Sequence, residues 1–247
     1  MKHFSKSLVV AALSAFSSIT FAAGAILVQA PIDKVFVPNG FDDNDKVEVI
    51  VHGHFNSSCY KMGPVSASID AVTNKVNVSA EAYYYPNATC IQMMIPFTKT
   101  VEVNRHLNVG TYDVKIFGRP QLGSLPLRIV PSKGPDADDF IYASVNSANL
   151  EQNAAGDQEI VLKGQHPYLL QGCIKFDSIV SYVGADNVVV VQPITRIINS
   201  DDECLEQSQA NKFDVRKKLD QKLIKGEYLM HVRALDGNSI NQFVEIE

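Results

Sequence analysis

Apolar and polar residues alternate along many short stretches of the chain, and a period of two predicts β-strands. The clearest example places valines at 47, 49 and 51 between Glu48, Ile50 and His52. A strand of this kind is expected to bury one face and leave the other in water. Similar stretches occur at residues 76–81 and 112–117 in the first half, and at 160–162, 188–191 and 228–232 in the second.

The two halves of the chain share a pattern of residues. Six positions of the first half recur in the second, each 116 residues later: Phe97, Leu107, Gly110, Tyr112, Val114 and Ile116 match Phe213, Leu223, Gly226, Tyr228, Met230 and Val232. In each half a glycine, Gly53 or Gly164, precedes two cysteines that lie 31 residues apart. Internal similarity of this kind predicts two tandem copies of one domain.

Residues 131–139 separate the two copies. They are rich in turn formers and acidic residues, which is typical of a domain boundary. We expect a first domain over 23–131, a linker over 132–138 and a second domain over 139–247. The size and strand pattern of each copy predict an all-β fold made of two tandem immunoglobulin-like antiparallel β-sandwiches. The Lys-rich segment 213–223 also fits a helix, but its counterpart 98–107 has valines at strand spacing and favours a strand.

The first residues have the features of an export signal. Lys2 and Lys6 form a basic start, residues 8–19 are mostly apolar, and Ala22 completes a small-residue cleavage pattern. Residues 1–22 are therefore predicted to be a signal peptide, which implies a periplasmic or secreted mature protein. The apolar run is shorter than the roughly 20 residues that span a bilayer, so we expect no membrane-spanning segment.

The charge of the chain argues against nucleic-acid binding. The formal net charge is -5 at pH 7, and removal of the two leader lysines makes the mature part more acidic. Phosphate recognition needs clustered Lys and Arg. The densest basic run, residues 216–218, lies between acidic residues and is typical of a solvated face.

Four cysteines allow three disulfide pairings. Because each copy is expected to fold as a unit, the equal spacing predicts Cys59 with Cys90 and Cys173 with Cys204. Export favours oxidation of these thiols. Closing a loop of about 30 residues contributes about 3–4 kcal/mol in the chain-entropy model. A four-thiolate metal site is the alternative, but the chain lacks the short Cys-x-x-Cys spacing of such sites.

A tyrosine follows a glycine at the same spacing in both copies, in Leu107-x-x-Gly110-x-Tyr112 and Leu223-x-x-Gly226-x-Tyr228. This arrangement resembles the tyrosine corner of Greek-key sandwiches, in which the phenol bonds to nearby backbone. It is a folding feature and implies no ligand.

The chain resembles a tandem immunoglobulin-like repeat with an internal disulfide. The resemblance rests on the Gly110-x-Tyr112 pattern, an acidic turn at 38–45, Gly53, Cys59, Cys90 and Pro96-Phe97. Such repeats occur in exported bacterial proteins of unknown function. The second copy lacks the acidic turn and has Lys212 in place of the proline. The resemblance implies a fold and a compartment, and no activity.

Two groups of residues are candidate metal ligands. His52 and His54 lie two apart on a predicted strand, so both imidazoles point the same way and could reach one ion; an ordinary strand face is the alternative. Acidic clusters at 42–45, 136–139 and 201–203 offer oxygen ligands for calcium, and an ion at the domain junction would fix the angle between the copies. Turn chemistry explains the same clusters without an ion.

Three consecutive tyrosines form a candidate binding surface. Tyr83 and Tyr85 are expected on one strand face and Tyr84 on the other, so that one face exposes aromatic rings to a sugar or a protein; burial of one side and an edge position for the other is the alternative. Loops at the ends of sandwiches often carry recognition, and we expect such loops at 55–65 and 165–172.

The sequence favours a non-catalytic role. It contains no Gly-x-Ser-x-Gly elbow, phosphate loop or His-Glu-x-x-His motif, and no cysteine remains as a nucleophile if both disulfides form. We expect no enzyme activity and no cofactor. The predicted function is an exported binding or structural module of the bacterial cell envelope, with a protein or surface glycan as partner. The alternative is an inhibitor or accessory subunit of an exported enzyme.

Overall fold

The computed structural model describes residues 24–103, 106–136, 138–167, 169, 173–198, 204 and 211–247. The predicted signal peptide, residues 1–22, lies outside the described residues. The first half contains β1 (Ile26–Gln29), β2 (Ile32–Phe36), β3 (Phe41–Asp42), β4 (Glu48–Ser57), β5 (Tyr60–Asp70), β6 (Lys75–Tyr84), β7 (Gln92–Glu102), β8 (Gly110–Ile116) and β9 (Leu125–Val130). The second half contains β10 (Ile141–Tyr142), β11 (Val145–Gln152), β12 (Gln158–Gln165), β13 (Cys173–Val183), β14 (Val188–Ile198), β15 (Lys212–Lys218), β16 (Gly226–Ala234) and β17 (Asn238–Ile246).

Strands β1 to β9 form two sheets. Strands β2, β4 and β7 make a three-stranded sheet, the first inner sheet. The first outer sheet has six strands, in the order β5, β6, β8, β9 and β3, with β1 beside the far end of β6. The two sheets enclose one apolar core and form a β-sandwich.

Strands β10 to β17 repeat this arrangement. Strands β11, β12 and β15 form the second outer sheet. Strands β13, β14, β16 and β17 form the second inner sheet, with β10 beside the far end of β14. These sheets enclose a second core. The predicted all-β fold with two sandwiches is confirmed.

A third cluster of buried side chains lies between the sandwiches, where the two inner sheets face each other. The sheets therefore stack in four layers: first outer, first inner, second inner and second outer. Each neighbouring pair of layers has its own apolar cluster.

This stacking corrects one sequence-based expectation. The alternating pattern predicted that β4 leaves one face in water, but every residue from Glu48 to Gly53 is buried. The same holds for β16 from Tyr228 to Ala234. Each of these strands contacts the core of its own sandwich with one face and the other sandwich with the opposite face.

The pairing of the central strands also differs from the expectation of antiparallel sheets. Strand β6 pairs in parallel with β8, and β14 pairs in parallel with β16. After β6 the chain crosses to the other sheet of its sandwich to form β7, and it then crosses back to form β8 beside β6. After β14 it crosses in the same way to form β15, and it returns to form β16 beside β14. Parallel pairing follows from that path, and a period of two in the sequence does not report it.

Corresponding residues of the two sandwiches occupy matching positions in the sheets. Gly53 lies opposite Phe97, and Gly164 lies opposite Phe213. Both glycines also contact the backbone where the first long strand of their sandwich begins. The segment 213–223, predicted as a strand from its counterpart in the first half, is strand as far as Lys218, and residues 219–223 lie beyond the end of β15.

The disulfides form within each sandwich, as predicted. Cys59 pairs with Cys90 and Cys173 pairs with Cys204, with Cα atoms 5.3 and 5.6 Å apart. The Tyr112 hydroxyl donates a hydrogen bond to the carbonyl of Asn108 at 3.2 Å, which is the tyrosine-corner contact.

The expected recognition loop at 55–65 is instead strand on both sides of a two-residue turn at Ser58 and Cys59, where the chain passes from the first inner sheet to the first outer sheet. Strand β4 continues to Ser57 and β5 begins at Tyr60, because Phe55 and Tyr60 stack on each other at the end of the core. Gln165, at the start of the second expected loop, ends β12, and residues 168 and 170–172 lie outside the described residues. In the described part of the chain, no helix is long and apolar enough to cross a membrane.

Alanine at Gly53 or Gly164 is expected to destabilise its sandwich. A Cβ at Gly53 would clash with the carbonyl oxygen of Pro31, and one at Gly164 with that of Ser144. Because backbone cannot move aside locally, each substitution should lower the free energy of unfolding by about 1–3 kcal/mol or more in urea titrations. Gly134→Ala is the matched control, since nothing lies within 4 Å of its added Cβ. An equal loss in the control would contradict the explanation.

Candidate functional site

The outer faces of the two inner sheets pack together, and we call this contact the junction. Phe36 of β2 and Ile50 of β4 are buried on the first sheet. On the second sheet they meet Val188, Val190 and Leu229, with Tyr182 and Phe243 partly buried beside them. Each fully buried apolar side chain contributes about 1.5–3 kcal/mol. The apolar part of the junction is thus comparable with the net stability of a domain.

His52 belongs to this contact. Its ring stacks on Phe243 with centroids 3.8 Å apart and planes 3° from parallel. Its Nδ1 lies 2.9 Å from the Thr98 hydroxyl. Burial lowers the pKa of His52 below its ordinary value, and the neighbouring His54 adds to this effect. A neutral ring suits its position on an aromatic face.

A buried ion pair crosses the edge of the junction. Arg233 at the end of β16 and Asp45, which follows β3, are 6% and 4% exposed. The Arg233 Nη1 lies 3.0 Å from Oδ2 of Asp45, and Nη2 donates to the carbonyl of Gly40. The guanidinium also lies 5.0 Å from the ring centre of Phe41. This one side chain of the second sandwich therefore binds a charge, a carbonyl and a ring of the first.

Three carboxyl groups surround the Arg233 guanidinium. Asp42 and Asp45 come from the first sandwich, and Asp138 comes from the expected linker, where it accepts a hydrogen bond from the Gly237 amide at 2.9 Å. Burial raises the pKa of all three, and repulsion between them adds to the rise. The Arg233 charge opposes the rise at each carboxyl. Arg233 keeps its positive charge near neutral pH, because the guanidinium group does not lose its proton in proteins.

The acidic residues proposed as calcium ligands have other partners here. Asp43 accepts a hydrogen bond from the Ser132 amide at 3.0 Å, and Asp139 forms an ion pair with Lys133 at 3.2 Å. Among the described residues, no group of three or more His, Cys, Asp or Glu side chains could hold a metal ion. The cluster 201–203 lies outside the described residues. Arg233 provides a positive charge beside Asp42, Asp45 and Asp138, and calcium binding stays a prediction.

A chain of polar groups lies beside this ion pair. Oε2 of Glu48 accepts hydrogen bonds from the Ser239 hydroxyl and from Nδ2 of Asn241. The amide of Asn241 therefore presents its oxygen to Nδ1 of His231, 2.7 Å away, so Nδ1 of His231 carries the proton. Burial raises the pKa of Glu48 and lowers the pKa of His231 to about 4. These groups join the sandwiches, since Glu48 belongs to the first and the others to the second.

The two histidines predicted as metal ligands are neighbours, with ring centroids 5.1 Å apart and planes at 88°. Their Nδ1 atoms point to different partners, because Nδ1 of His54 lies 2.9 Å from Oδ2 of Asp33. A shared ion at His52 and His54 stays a prediction.

Tyr83 and Tyr84 lie on opposite faces of β6, as expected, whereas Tyr85 does not share a strand face with Tyr83. Strand β6 ends at Tyr84, whose ring stacks on Tyr60 inside the sandwich. Tyr83 points outward and is 40% exposed. Tyr85 lies beyond the strand and is half-buried beneath Nζ of Lys61, 5.8 Å from its ring centre. Binding by Tyr83 and Tyr85 stays a prediction.

Sequence reasoning missed Arg233, Glu48, His231 and Asn241 as a group. The sequence contains one sign that these faces are covered. Ile50 and Leu229 are apolar, although the alternating pattern predicts that their strand faces contact water. The uninterrupted valines at 188–191 were a second signal, since such runs are typical of strands buried on both faces. The arrangement found here binds one sandwich to the other through paired charges and neutral histidines.

The comparisons with known proteins concern the first sandwich. Residues 49–124, from β4 to the turn before β9, match the family model described as the ORF11 beta-sandwich domain. No curated protein and no solved structure matches the chain.

Removal of the Arg233 charge is expected to destabilise the protein strongly. Arg233→Met leaves Asp45 buried without its cation, and breaking a buried pair in this way costs about 3–5 kcal/mol of unfolding free energy, measurable with urea. Arg216→Met is the control, because its pair with Glu151 is exposed and such pairs contribute about 0–1 kcal/mol. Adding Asp45→Asn to Arg233→Met should restore part of the loss. Equal losses in the two arginine variants would refute the role of Arg233.

His231 should make the protein less stable as the pH falls. The unfolded chain protonates this histidine near pH 6.5, whereas the folded protein does so at about 4. The stability from neutral His231 is thus complete above about pH 6.5 and declines toward pH 4, by at most about 1.4 kcal/mol per pH unit. Urea unfolding from pH 7 to 4 should show a shallower decline in His231→Gln.

The buried carboxyl groups act in the opposite direction, because their raised pKa values favour proton uptake by the folded state. They are common to both proteins, so the difference between the two curves isolates His231. Parallel curves would contradict a neutral buried His231.

Proposed function

We propose that this protein is a non-catalytic binding or structural module that is exported to a bacterial cell envelope, in the periplasm or outside the cell. Its two sandwiches act as one rigid body, and its free surfaces contact envelope components. We also propose that the two sandwiches are tandem copies of one domain and that the protein comes from a bacterium.

The junction is the observation that carries the proposal. Two buried charged side chains bond across the contact, Arg233 to Asp45 and the Gly40 carbonyl, and Glu48 to Asn241. Asn241 also bonds to the buried His231. A general acid or base needs access to a reacting group. These side chains instead hold two sheets together, as suits a scaffold that keeps a fixed shape.

Three further features support export and duplication. The disulfides suit an oxidising compartment. The leader pattern at residues 1–22 is typical of a secretion signal. The sandwiches share the positions of their glycines, disulfides and parallel strand pairs, which is the relation expected of two copies of one domain.

Expression of the full chain in a bacterial host tests this function. We expect mass spectrometry to show that the leader has been removed, and cell fractionation to place the protein in the periplasm or the medium. Small-angle scattering of the purified protein should show a single compact particle. Chemical crosslinking in intact envelopes should recover surface components. Arg233→Met is the matched control, because its loosened junction should broaden the scattering profile and weaken recovery.

Two outcomes would count against the proposal. Retention of the leader in a cytoplasmic protein would refute export. Stoichiometric recovery of an exported hydrolase would favour the alternative, in which the chain is an inhibitor or accessory subunit.

A further inference from the structure

The first outer sheet exposes a face with a distinct composition. Its side chains alternate between the core and solvent, and those on the solvent side are Leu27 and Gln29 of β1, Asn77, Ser79, Glu81 and Tyr83 of β6, Lys115 of β8, and Phe117 just after β8. We call this surface the terminal face, because it lies at one end of the four-layer stack. Hydroxyl, amide and charged groups separate two aromatic rings on it.

Phe117 is the most exposed aromatic residue on this face, at 72%. Its backbone is held on both sides, since its amide donates to the carbonyl of Val78 at 2.8 Å and its carbonyl accepts from Gln29. A concavity of about 400 Å³ beside it is lined by Asn77, Lys115, Phe117 and Ser124, among others. Concavities of a few hundred Å³ with a few polar groups are typical of ligand sites.

Tyr83 provides a second aromatic surface on the same face. It is 40% exposed, and Leu27, directly opposite on β1, is 45% exposed. The Phe117 amide donates a hydrogen bond to the carbonyl of Val78, which is next to Ser79, and Tyr83 is four positions after Ser79 along β6. At roughly 3.3 Å per residue, the two aromatic positions lie about 13 Å apart. An extended chain of several sugar rings spans that separation.

The second sandwich uses the corresponding face for a different contact. Val76 pairs with Val114, and Val189 pairs with Met230, so β8 and β16 correspond residue by residue. Phe117 thus takes the position of Arg233, and Lys115 that of His231. In the second sandwich this face has an apolar centre, with His231 and Arg233 toward its edge, and it binds the first sandwich through the junction. In the first sandwich it has polar residues and an exposed ring, so it suits another kind of partner.

The opposite end of the stack lacks these features. The outer face of the second outer sheet has ion pairs between Arg216 and Glu151, and between Lys163 and Asp214. No strongly exposed aromatic residue occurs on its strands as far as the structure describes them. The aromatic surface is specific to the terminal face.

We infer that the terminal face binds a neutral, extended polysaccharide, with Phe117 and Tyr83 stacking on sugar rings and the side chains between them bonding to hydroxyl groups. This inference rests on the proposed envelope function. Both signs of charge occur around the rings, since Glu81 lies between them on β6, Lys61 pairs with Tyr83, and Lys115 pairs with Asn77. A surface without a strong charge of one sign favours a neutral ligand over an acidic polymer. Exposed aromatic rings bind the C–H faces of sugars while nearby polar groups fix their orientation.

Affinity electrophoresis of the mature chain tests the inference. Native gels would contain hydroxyethyl cellulose, xylan, laminarin, galactomannan or glycol chitin as the probe. We expect at least one polysaccharide to retard the protein, and Phe117→Ala and Tyr83→Ala each to weaken binding at least about tenfold, equivalent to about 1.4 kcal/mol. Ile224→Ala is the matched control, because Ile224 is 76% exposed and lies outside this face.

The outcomes separate this inference from the proposed function. Retardation by none of the probes, or equal affinity of the Phe117→Ala variant and the parent protein, overturns the polysaccharide site and leaves the scaffold intact. If the parent protein binds no polysaccharide and Phe117→Ala loses a crosslinked protein partner, the terminal face binds a protein and the polysaccharide inference is wrong. Release of reducing ends from a bound probe contradicts the non-catalytic function instead. An unchanged melting temperature verifies that each variant is folded.

Discussion

The packing of one inner sheet on the other is the constraint on which the rest of the structure depends. It requires the side chains on both faces of β4 and β16 to be apolar or to have a polar partner, as Glu48 and Arg233 do, because each strand lies between two cores. It also explains why His52 is stacked on an aromatic ring and why His231 stays neutral. A chain with the same strands and a hydrated face on β4 would form two sandwiches that move independently.

The junction has an apolar centre and a polar edge, as interfaces between separate proteins do. Ile50 and Leu229 lie in the centre, while Arg233 with Asp45 and Glu48 with Asn241 lie toward the edge. Apolar contacts are not directional, whereas a buried ion pair is tolerated only in one geometry, since removal of one partner leaves a charge without compensation. The centre thus contributes affinity, and the edge fixes how the sheets are rotated against each other.

The sequence predicts the sandwiches well and the junction poorly, for a physical reason. Periodicity reports which residues share a strand face, and spacing reports which cysteines share a domain, so the strands and both disulfides could be predicted. Neither reports what covers a face. Ile50 between Glu48 and His52 was compatible with a hydrated strand that has one apolar residue. The acidic residues at 42–45 suggested a cation, and nothing local identified a side chain 188 positions away as that cation.

The two ends of the described stack do not repeat the surfaces that meet at the junction. Further stacking would bring the second outer sheet of one molecule against the terminal face of another, as the inner sheets meet at the junction. The positions of Val188, Val190 and Leu229 are taken there by Lys75, Asn77 and Asp113. The position of Ile50 on the opposing face is taken by Val161, which is buried beside Arg216 and its ion pair with Glu151. Burying these charges against each other would remove their water without a matched set of partners, which is unfavourable. Neither end of the described body therefore reproduces the apolar surfaces of the junction, and the exposed ring of Phe117 lies on one of these ends.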